Sequence, residues 1–348
     1  MKKHISYAGK KVFIGLDVHR EFFVASAVSE GRLVKQCRML PEAEAVESLI
    51  SKYFAGAEVQ TCYEAGFSGF WLHRRLAAAG ISNIVVHPAH VEVESNRIKT
   101  DKRDSLKLAQ QLYGARLRGI RVPSIEEEER RLLTRTREQL LRARRRAQVQ
   151  IRMRLHQFGL VPRVFSRVMR LKDVERFLDG SQSAALKHSI GYLLSQWVQV
   201  EAQIRELNRQ LVAQARTDPL DVLYRSVPGI GWLIARVLSN ELGDMSQFSN
   251  ERALFSYTGL TPGEHSSGDK VCRGHISRQG SSRLRHMLVQ AAWKAVRKDK
   301  ELRKFCERIA LRRGKKRAIV AVARKLVGKI RAAIQAGKGY ELNYKKAA

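Results

Sequence analysis

The pattern of apolar and polar positions divides the chain into three parts, and the first part predicts a mixed α/β domain. Residues 12–16 form a continuous apolar run typical of a strand buried on both faces, and further strands are predicted over residues 22–28, 33–34, 59–63 and 84–86. Amphipathic stretches predict helices over residues 43–54, over 71–79 and after Thr100, a favourable N-cap. Alternation of strands with helices predicts one sheet with helices packed on its faces, over residues 1–122.

The second part, residues 123–220, begins at Val122-Pro123-Ser124, where the pattern breaks, and predicts a pair of long helices. Residues 130–154 contain ten arginines and one acid, Glu138, without Gly or Pro. Residues 190–215 form a second amphipathic helix. The two helices are expected to form an antiparallel coiled coil, with Leu132, Leu133, Leu140, Leu141 and Ile151 on the inner face of the first. The intervening residues 159–189 are expected to be irregular.

The third part, residues 221–348, predicts an all-helical domain. A helix follows the Gly-containing turn at 227–231, residues 248–268 form a helix and then a turn-rich loop, and the segment ISRQGSSRLRHML opens another helix. In the basic tail, Ile319, Val322, Leu326 and Ile330 recur at helical spacing and form an apolar stripe. The sequence therefore predicts an α/β domain, a helical linker and an all-α domain.

Charge then narrows the class of partner. The chain has 348 residues, with 65 Lys and Arg against 33 Asp and Glu, a formal net charge of +32. A folded protein this basic is expected to bind a polyanion, and nucleic acid fits because neutralising its phosphates releases counterions. An anionic membrane surface is the less favoured partner. The 44% hydrophobic content excludes a wholly disordered basic tail.

The lengths of the apolar runs and the spacing of the cysteines bear on the compartment in which the protein is expected. No apolar run approaches the ~18 residues of a spanning helix, and the run before Asp17 is too short for a signal-peptide core. The four cysteines lie far apart without a C-x-x-C pair, which argues against a zinc knuckle or a disulfide framework. A cytoplasmic, nucleoid-associated protein is therefore expected.

Four acids carry the first candidate chemistry. Asp17 and Glu64 end two predicted strands, and Asp101 and Asp104 share one face in the first turn of a helix. Carboxylates placed in this way suit Mg²⁺ (or Mn²⁺) in phosphoryl transfer. Taken singly, Asp17 could be a turn residue, and the helix acids could be there because they interact favourably with the helix dipole. Their combination on an RNase H-like order of elements predicts a metal site.

A serine in an arginine-rich loop is the second candidate. Ser266 and Ser267 lie in a Gly-bounded loop, and a serine hydroxyl could attack a phosphodiester while arginines offset the negative charge. On these residues alone, a phosphate-binding or merely flexible loop is the preferred interpretation. The nearby arginines expected to contact nucleic acid are Arg273, Arg278, Arg283 and Arg285.

Two other segments predict nucleic-acid contacts. The turn containing Gly229 and Gly231 is similar to a helix–hairpin–helix turn, whose backbone N–H groups can hold a phosphate, although it could be an ordinary turn. The arginine-rich helix is expected to face a phosphate backbone, because like charges on one helix repel; a solvated coiled-coil exterior is the alternative. Its candidate contacts are Arg130, Arg131, Arg142, Arg144, Arg145 and Arg146.

These motifs together resemble one family. GLDVHRE with Asp17, CYEAG with Glu64 and KTDKRDSLKLAQ with Asp101 and Asp104 resemble the DEDD signature of the insertion-sequence-110 transposases, including the 1111 subgroup. The block beginning PGIGWLIARVL and continuing through GLTPGEHSSG to GHISRQG resembles their C-terminal transposase domain. The resemblance covers roughly residues 10–335.

The resemblance implies a RuvC-like, metal-binding domain with the four acids as ligands and catalytic residues. It also implies a catalytic serine that forms a 5′-phosphoserine link to DNA; the family position is Ser267, with Ser266 beside it as an alternative. In such recombinases a structured non-coding guide RNA pairs with donor and target DNA. The working site is shared between subunits of a homo-oligomer, a dimer or tetramer.

Three rival functions remain at this point. A junction-resolving endonuclease would use the same acids without a serine, and a DNA invertase shares the family signature. A protein that only coats DNA or RNA would not depend on Asp17 or Glu64. A guided recombinase is the favoured interpretation.

Overall fold

The computed structural model describes residues 6–92, 100–163, 165, 167–264 and 273–342. It forms two compact units, Met1–Pro123 and Ser124–Ala348. The first predicted boundary, at residues 122–124, coincides with the division between these units. The second, at residue 220, falls inside the second unit, where helices from both sides of it pack together, so the three-part division stays a prediction.

Among its described residues, the first unit contains five strands, three α-helices and a short 3₁₀ helix, Pro88–His90. The strands are β1 (Lys11–Val18), β2 (Phe23–Ser29), β3 (Arg32–Met39), β4 (Glu58–Glu64) and β5 (Ser82–Val86). The helices are α1 (Ala43–Tyr53), α2 (Trp71–Ala78) and α3 (Asp101–Tyr113). Each predicted strand and helix of this region is present. The third strand is longer than the apolar pair at 33–34, since its ladder with β2 extends through polar residues.

The strands form one mixed sheet in the order β3-β2-β1-β4-β5. The β1–β2–β3 part is antiparallel, whereas β4 and β5 continue the sheet parallel to β1. Apolar side chains of α1 and α2, such as Val46 and Leu72, share one core with Ile14 and Leu16 of β1. A separate core contains Leu108 of α3. This is the mixed α/β unit that the apolar pattern predicts.

Helix α3 lies unusually close to the sheet. A Cβ added to Gly15 of β1 would stand 2.2 Å from the carbonyl oxygen of Ser105 and 2.5 Å from the amide nitrogen of Ala109. Only glycine fits this approach. The buried hydroxyls of Ser26 and Ser105 are 2.8 Å apart, and the Gln36 amide donates to the Ser26 hydroxyl. The start of α3 is therefore fixed relative to β1.

The second unit is mainly helical. Its helices are α4 (Ile125–Gln157), α5 (Leu171–Asp179), α6 (Ala184–Thr217), α7 (Pro219–Arg225), α8 (Trp232–Leu242), α9 (Glu251–Tyr257), α10 (Ser282–Lys298), α11 (Lys300–Arg313) and α12 (Lys315–Gln335). Two short strands, β6 (Pro262–Glu264) and β7 (Arg273–Ile276), form an antiparallel pair. The prediction of an all-α region is wrong at this pair, and α5 occupies part of the segment that was expected to be irregular.

Helices α4 and α6 pack antiparallel. Along α4, Arg137 bonds Asn208, Arg144 bonds Glu201 and Arg154 bonds the carbonyl of Ser189, so positions on α6 descend as those on α4 rise. Both helices extend a few residues beyond the predicted ranges. In α6 the apolar stripe is buried as predicted, with Trp197, Ile204, Leu207 and Leu211 each less than a tenth exposed. Coiled-coil packing in the strict sense stays a prediction.

The inner face of α4 differs from the prediction at its beginning. Leu132 is 59% exposed, while Arg131 is 8% exposed. The Arg131 guanidinium donates to the carbonyl of Asn240 on α8, and the Asn240 amide donates back to the carbonyl of Arg130. At this end α4 packs against α8 through polar groups, which an apolar period cannot reveal.

The C-terminal helices surround an apolar core. Ile319, Val322, Leu326 and Ile330 of α12, the stripe predicted in the basic tail, are buried there with residues of α8 and α10. No helix among the described residues combines the length and apolarity that crossing a bilayer requires.

Candidate active site and nucleic-acid interface

Two of the predicted acids lie at neighbouring strand ends. Strands β1 and β4 are parallel, and Leu16 pairs with Tyr63, so Asp17 stands level with Glu64. Because side chains alternate along a strand, Asp17 shares the face of Gly15, against which α3 packs. Parallel strands thus bring both carboxylates to one edge of the sheet.

The first turn of α3 brings two more acids to the same place. The Thr100 hydroxyl accepts a hydrogen bond from the Arg103 amide and caps the helix, as predicted. Ligand atoms of Asp17, Asp101 and His19 all lie within 4.8 Å of one another. His19 Nε2 is 3.0 Å from the nearer Asp17 oxygen and 3.5 Å from that of Asp101. Asp104 is near enough for its charge to act on Asp17.

Sequence reasoning missed His19. The available signal was its position two residues after Asp17, which places both side chains on the same side where the strand ends. A histidine in a basic chain is more often solvated or bound to phosphate, so the signal was weak. The fold supplies the missing information by setting Asp101 opposite it.

The electrostatics of this edge favour a cation. Burial raises the pKa of Asp17; the hydrogen bond and charge of His19 lower it, and the charges of Asp101 and Asp104 raise it again. Carboxylates crowded in this way resist ionising together unless a positive charge lies between them. The donor set of carboxylate oxygens and an imidazole nitrogen within 4.8 Å fits a divalent ion.

The base of the serine loop is tightly built. A Cβ on Gly280 would meet the Tyr257 carbonyl at 2.2 Å, and one on Gly259 would meet the Gly280 amide at 2.9 Å. The Ser281 amide donates to the Tyr257 carbonyl. Strands β6 and β7 extend from this base, and their sequence connection, residues 265–272, contains Ser266 and Ser267, which lie outside the described residues. Their catalytic role stays a prediction.

Arginines near this loop have different surroundings. Arg283, in the first turn of α10, donates to Glu138 of α4 and to Glu241 of α8. Glu241 is nearly buried and also accepts two bonds from Arg135, each 3.0 Å long. Burial alone would raise the pKa of Glu241, and the bonds and charges of these arginines lower it. Arg283 therefore has a structural partner set, which competes with its predicted contact to nucleic acid.

The three remaining loop arginines differ in their surroundings. Arg285 donates to the carbonyl of Thr258 and so supports the loop base. Arg278 is exposed and has a φ of 59°, a left-handed conformation rare for a residue with a side chain. Arg273 lies in β7.

The six candidate arginines of α4 also separate by environment. Arg131 is buried against α8, and Arg144 pairs with Glu201 at 3.2 Å. The exposed candidates are Arg130, Arg142, Arg145 and Arg146. Their contact with nucleic acid stays a prediction. Exposure suits Arg130, Arg145 and Arg146 to it better than Arg131 and Arg144, whereas Arg142 is exposed but bonds Glu138.

The glycine turn before α8 has a structural reason of its own. Gly229 has a φ of 93°, and a Cβ there would stand 2.4 Å from Cβ of Lys294 on α10. The turn thus needs glycine for packing. Gly231, the N-cap of α8, is exposed and has open space around it, so a phosphate contact there stays a prediction.

Comparison with known proteins finds two transposase family models along the chain. Residues 14–159 match the DEDD transposase family of IS110 elements, described as "Transposase", and residues 222–307 match the "Transposase IS116/IS110/IS902 family". The first match contains all four acids, and the second contains the serine loop.

Full-length relatives extend the similarity along the chain. The transposase for insertion sequence element IS1111A of Coxiella burnetii is 26% identical over 90% of this chain and 86% of its own length. Putative transposase y4qE of Sinorhizobium fredii is 28% identical over 82% of this chain and 72% of its own. Putative transposase y4rJ of the same organism is 29% identical over 81% and 80%. With both family domains present in order, the chain belongs to the IS116/IS110/IS902 family of insertion-sequence transposases.

Proposed function

We propose that this transposase is a DNA strand-transfer recombinase that uses a divalent ion and a serine nucleophile and is guided by a structured RNA. The observation that carries the proposal is the convergence of Asp17 and Asp101, with His19, at the strand end beside Glu64. Residues 84 positions apart in the sequence meet there because α3 packs directly over Gly15. Support for the recombinase class comes from the family, whose acids and C-terminal domain are both present.

The acids would hold the ion and fix its position. Asp17, Glu64, Asp101 and Asp104 would supply carboxylate oxygens, which suit Mg²⁺ or Mn²⁺. When bound, such an ion activates a hydroxyl and offsets charge on the reacting phosphate. The raised pKa of Asp17 fits this role, since a cation at this edge would favour its ionised form.

Ser267 would supply the covalent step. Its Oγ attacks a DNA phosphorus, the hydroxyl proton is lost, and the bond to the 3′ oxygen breaks, which leaves a 3′-hydroxyl and a 5′-phosphoserine. Attack by a different 3′-hydroxyl on the phosphoserine reseals DNA and frees the serine, so the phosphodiester energy is kept. The paired strands β6 and β7 and the close contact of Gly259 with Gly280 would hold the loop's base steady.

Exposed arginines would hold the nucleic acids. Arg131 is buried and cannot reach nucleic acid. The candidates that are exposed are Arg130, Arg142, Arg145 and Arg146 on α4 and Arg278 near the serine loop. Phosphate contacts by such residues position a duplex without reading its sequence. Pairing of a guide RNA with donor and target DNA would provide sequence specificity, in a homo-oligomer that acts in the cytoplasm.

The test is to trap the covalent intermediate. A nicked DNA substrate is incubated with the full chain and Mg²⁺, and the products are separated on a denaturing gel. We expect a protein–DNA adduct in the wild type and in Ser266→Ala, and none in Ser267→Ala. An adduct that persists in Ser267→Ala but not in Ser266→Ala would transfer the role to Ser266.

The same experiment discriminates the rival functions. DNA cleavage without an adduct would identify a hydrolytic, junction-resolving nuclease. Binding without cleavage, unchanged in Asp17→Asn, would identify a nucleic-acid-coating protein. Sequencing of RNA that co-purifies with the wild type tests guidance, and absence of a discrete structured RNA would contradict it.

A further inference from the structure

His19 is held in a fixed place beside the acids. It follows the end of β1, and its amide donates to the carbonyl of Phe22 at 3.0 Å. Its ring lies 4.9 Å from the Phe22 ring, whose face is covered by the Arg38 guanidinium at 3.6 Å. The imidazole is therefore packed on a supported aromatic ring, and its Nε2 is directed at Asp17 and Asp101.

The spacing of the three donor atoms is that of ligands on one ion. Adjacent ligands of an octahedral ion with bonds of ~2.1 Å are about 3.0 Å apart. Nε2 is 3.0 Å from the Asp17 oxygen and 3.5 Å from the Asp101 oxygen. All three atoms lie within 4.8 Å of one another. A hydrogen bond from His19 to Asp17 gives the first distance, and the packing of α3 over Gly15 brings a second carboxylate, Asp101, to the same nitrogen.

We propose that His19 is a nitrogen ligand of the divalent ion and that this site binds Mn²⁺ in preference to Mg²⁺. The inference rests on the proposed function for the metal site itself. Mg²⁺ favours oxygen ligands almost exclusively, whereas first-row transition ions accept imidazole. On binding, Nε2 gives up its hydrogen bond to Asp17 and donates its lone pair to the ion, with the ring proton on Nδ1. Phe22 keeps the ring oriented for this.

The test uses Mn²⁺ bound to the full chain and reads the ligand directly. Pulsed electron paramagnetic resonance detects ¹⁴N coupled to Mn²⁺ when an imidazole is coordinated. We expect this coupling in the wild type and in His90→Ala, which removes an exposed histidine of the same unit. We expect its loss in His19→Ala, with thermal unfolding of each variant showing that the unit remains folded.

Affinity gives a second, independent readout. In His19→Ala, Mn²⁺ affinity should fall about tenfold or more, while Mg²⁺ affinity changes by less than about threefold. Bound Mn²⁺ without ¹⁴N coupling in the wild type would overturn the proposal while leaving the acid site intact. Equal losses of Mn²⁺ and Mg²⁺ affinity would also overturn it and assign His19 a hydrogen-bonding role. No binding of either ion in the wild type would contradict the metal site itself.

Discussion

Each unit contains a cluster of charged side chains, and the two clusters differ in whether their charges are neutralised. In the first, Asp17, Asp101 and Asp104 lie together with a single histidine among them. In the second, the buried carboxylate of Glu241 is surrounded by the arginines that neutralise it, Arg135 and Arg283. One cluster accumulates like charge and the other balances it.

The acid cluster of the first unit has negative charge that a ligand could neutralise, whereas the charges of the Glu241 cluster stabilise helix packing. Crowded carboxylates destabilise the folded chain unless a cation joins them, and this supports the proposed metal site. In a balanced network the charges already neutralise one another, so they are not available to a ligand. The Glu241 network instead holds α4, α8 and α10 together. Arg283 is basic, close to the serine loop and nonetheless occupied, so local charge alone does not identify a contact to DNA.

The largest expected effect comes from removing one of the crowded acids. Asp17→Asn should lower strand exchange by at least ~100-fold, since a metal ligand is lost. It should leave the thermal stability of the first unit unchanged or slightly higher, since repulsion with Asp101 and Asp104 falls. A strand-exchange assay and thermal unfolding of the same preparations measure both. The control is Glu58→Gln, an exposed acid paired with Lys11, which should affect neither; full activity in Asp17→Asn would contradict the metal site.

The balanced cluster should show the reverse behaviour. Glu241→Gln removes the buried carboxylate that Arg135 and Arg283 share. Because Arg283 keeps Glu138 and Arg135 is partly exposed, the free energy of unfolding should fall by about 1–3 kcal/mol. Urea unfolding followed by helical circular dichroism measures this. Glu206→Gln, which breaks an exposed pair with Arg209 in the same unit, should lose less than ~1 kcal/mol. A loss of that small size in Glu241→Gln would show that the network contributes little.

The arginines of α4 allow exposed charges to be compared with a paired charge on the same helix. Replacing exposed Arg130, Arg145 and Arg146 with Gln should flatten the salt dependence of DNA binding by ~0.9 slope units per lost duplex phosphate contact. Arg144→Gln is the matched control and should leave the slope unchanged, since Arg144 pairs with Glu201. Binding titrations at several salt concentrations give the slopes. An unchanged slope in the triple variant would assign these arginines to solvent.

The smallest expected effect concerns a buried arginine of the second unit and the two carboxylates that it contacts. Arg236 contacts both Asp218 and Asp221. Burial raises the pKa of Asp221 to about 6, although the charge of Arg236 lowers it. A pKa raised on folding stabilises the protein at low pH, so the free energy of unfolding should fall by about 1–2 kcal/mol as the pH rises from ~4 to above ~6. Unfolding over this range should show a flatter profile for Asp221→Asn, and an identical profile would contradict the shift.

The apolar pattern was sufficient for the elements of the first unit. Strand-like runs marked β1, β2, β4 and β5, and Thr100 marked the beginning of α3, because burial and capping depend on residues a few positions apart. The same signals failed for α5 and for the β6–β7 pair. Those elements are short, and β6 and β7 extend from a base that the close contact of Gly259 with Gly280 builds.

The candidate site could be predicted only in part. Sequence placed Asp17 and Glu64 at strand ends and the two helix acids on one face, which is local information. It could not place His19 against Asp101, because that contact requires α3 to pack over Gly15. It also treated Arg131 and Arg283 as contacts for nucleic acid, although both are engaged within the fold.

The sequence by itself determined the strands and α-helices of the first unit, the long helices of the second, and the net charge of +32 that favours a polyanionic partner. These properties follow from hydrophobic period, backbone chemistry and composition, which are independent of distant residues. The tertiary structure alone decided which charges are balanced and which remain crowded. Arg283 meets Glu138, 145 positions away, and His19 meets Asp101 across the sheet edge. Ionic contacts act over a few ångströms in space, and packing, which is collective, sets those distances.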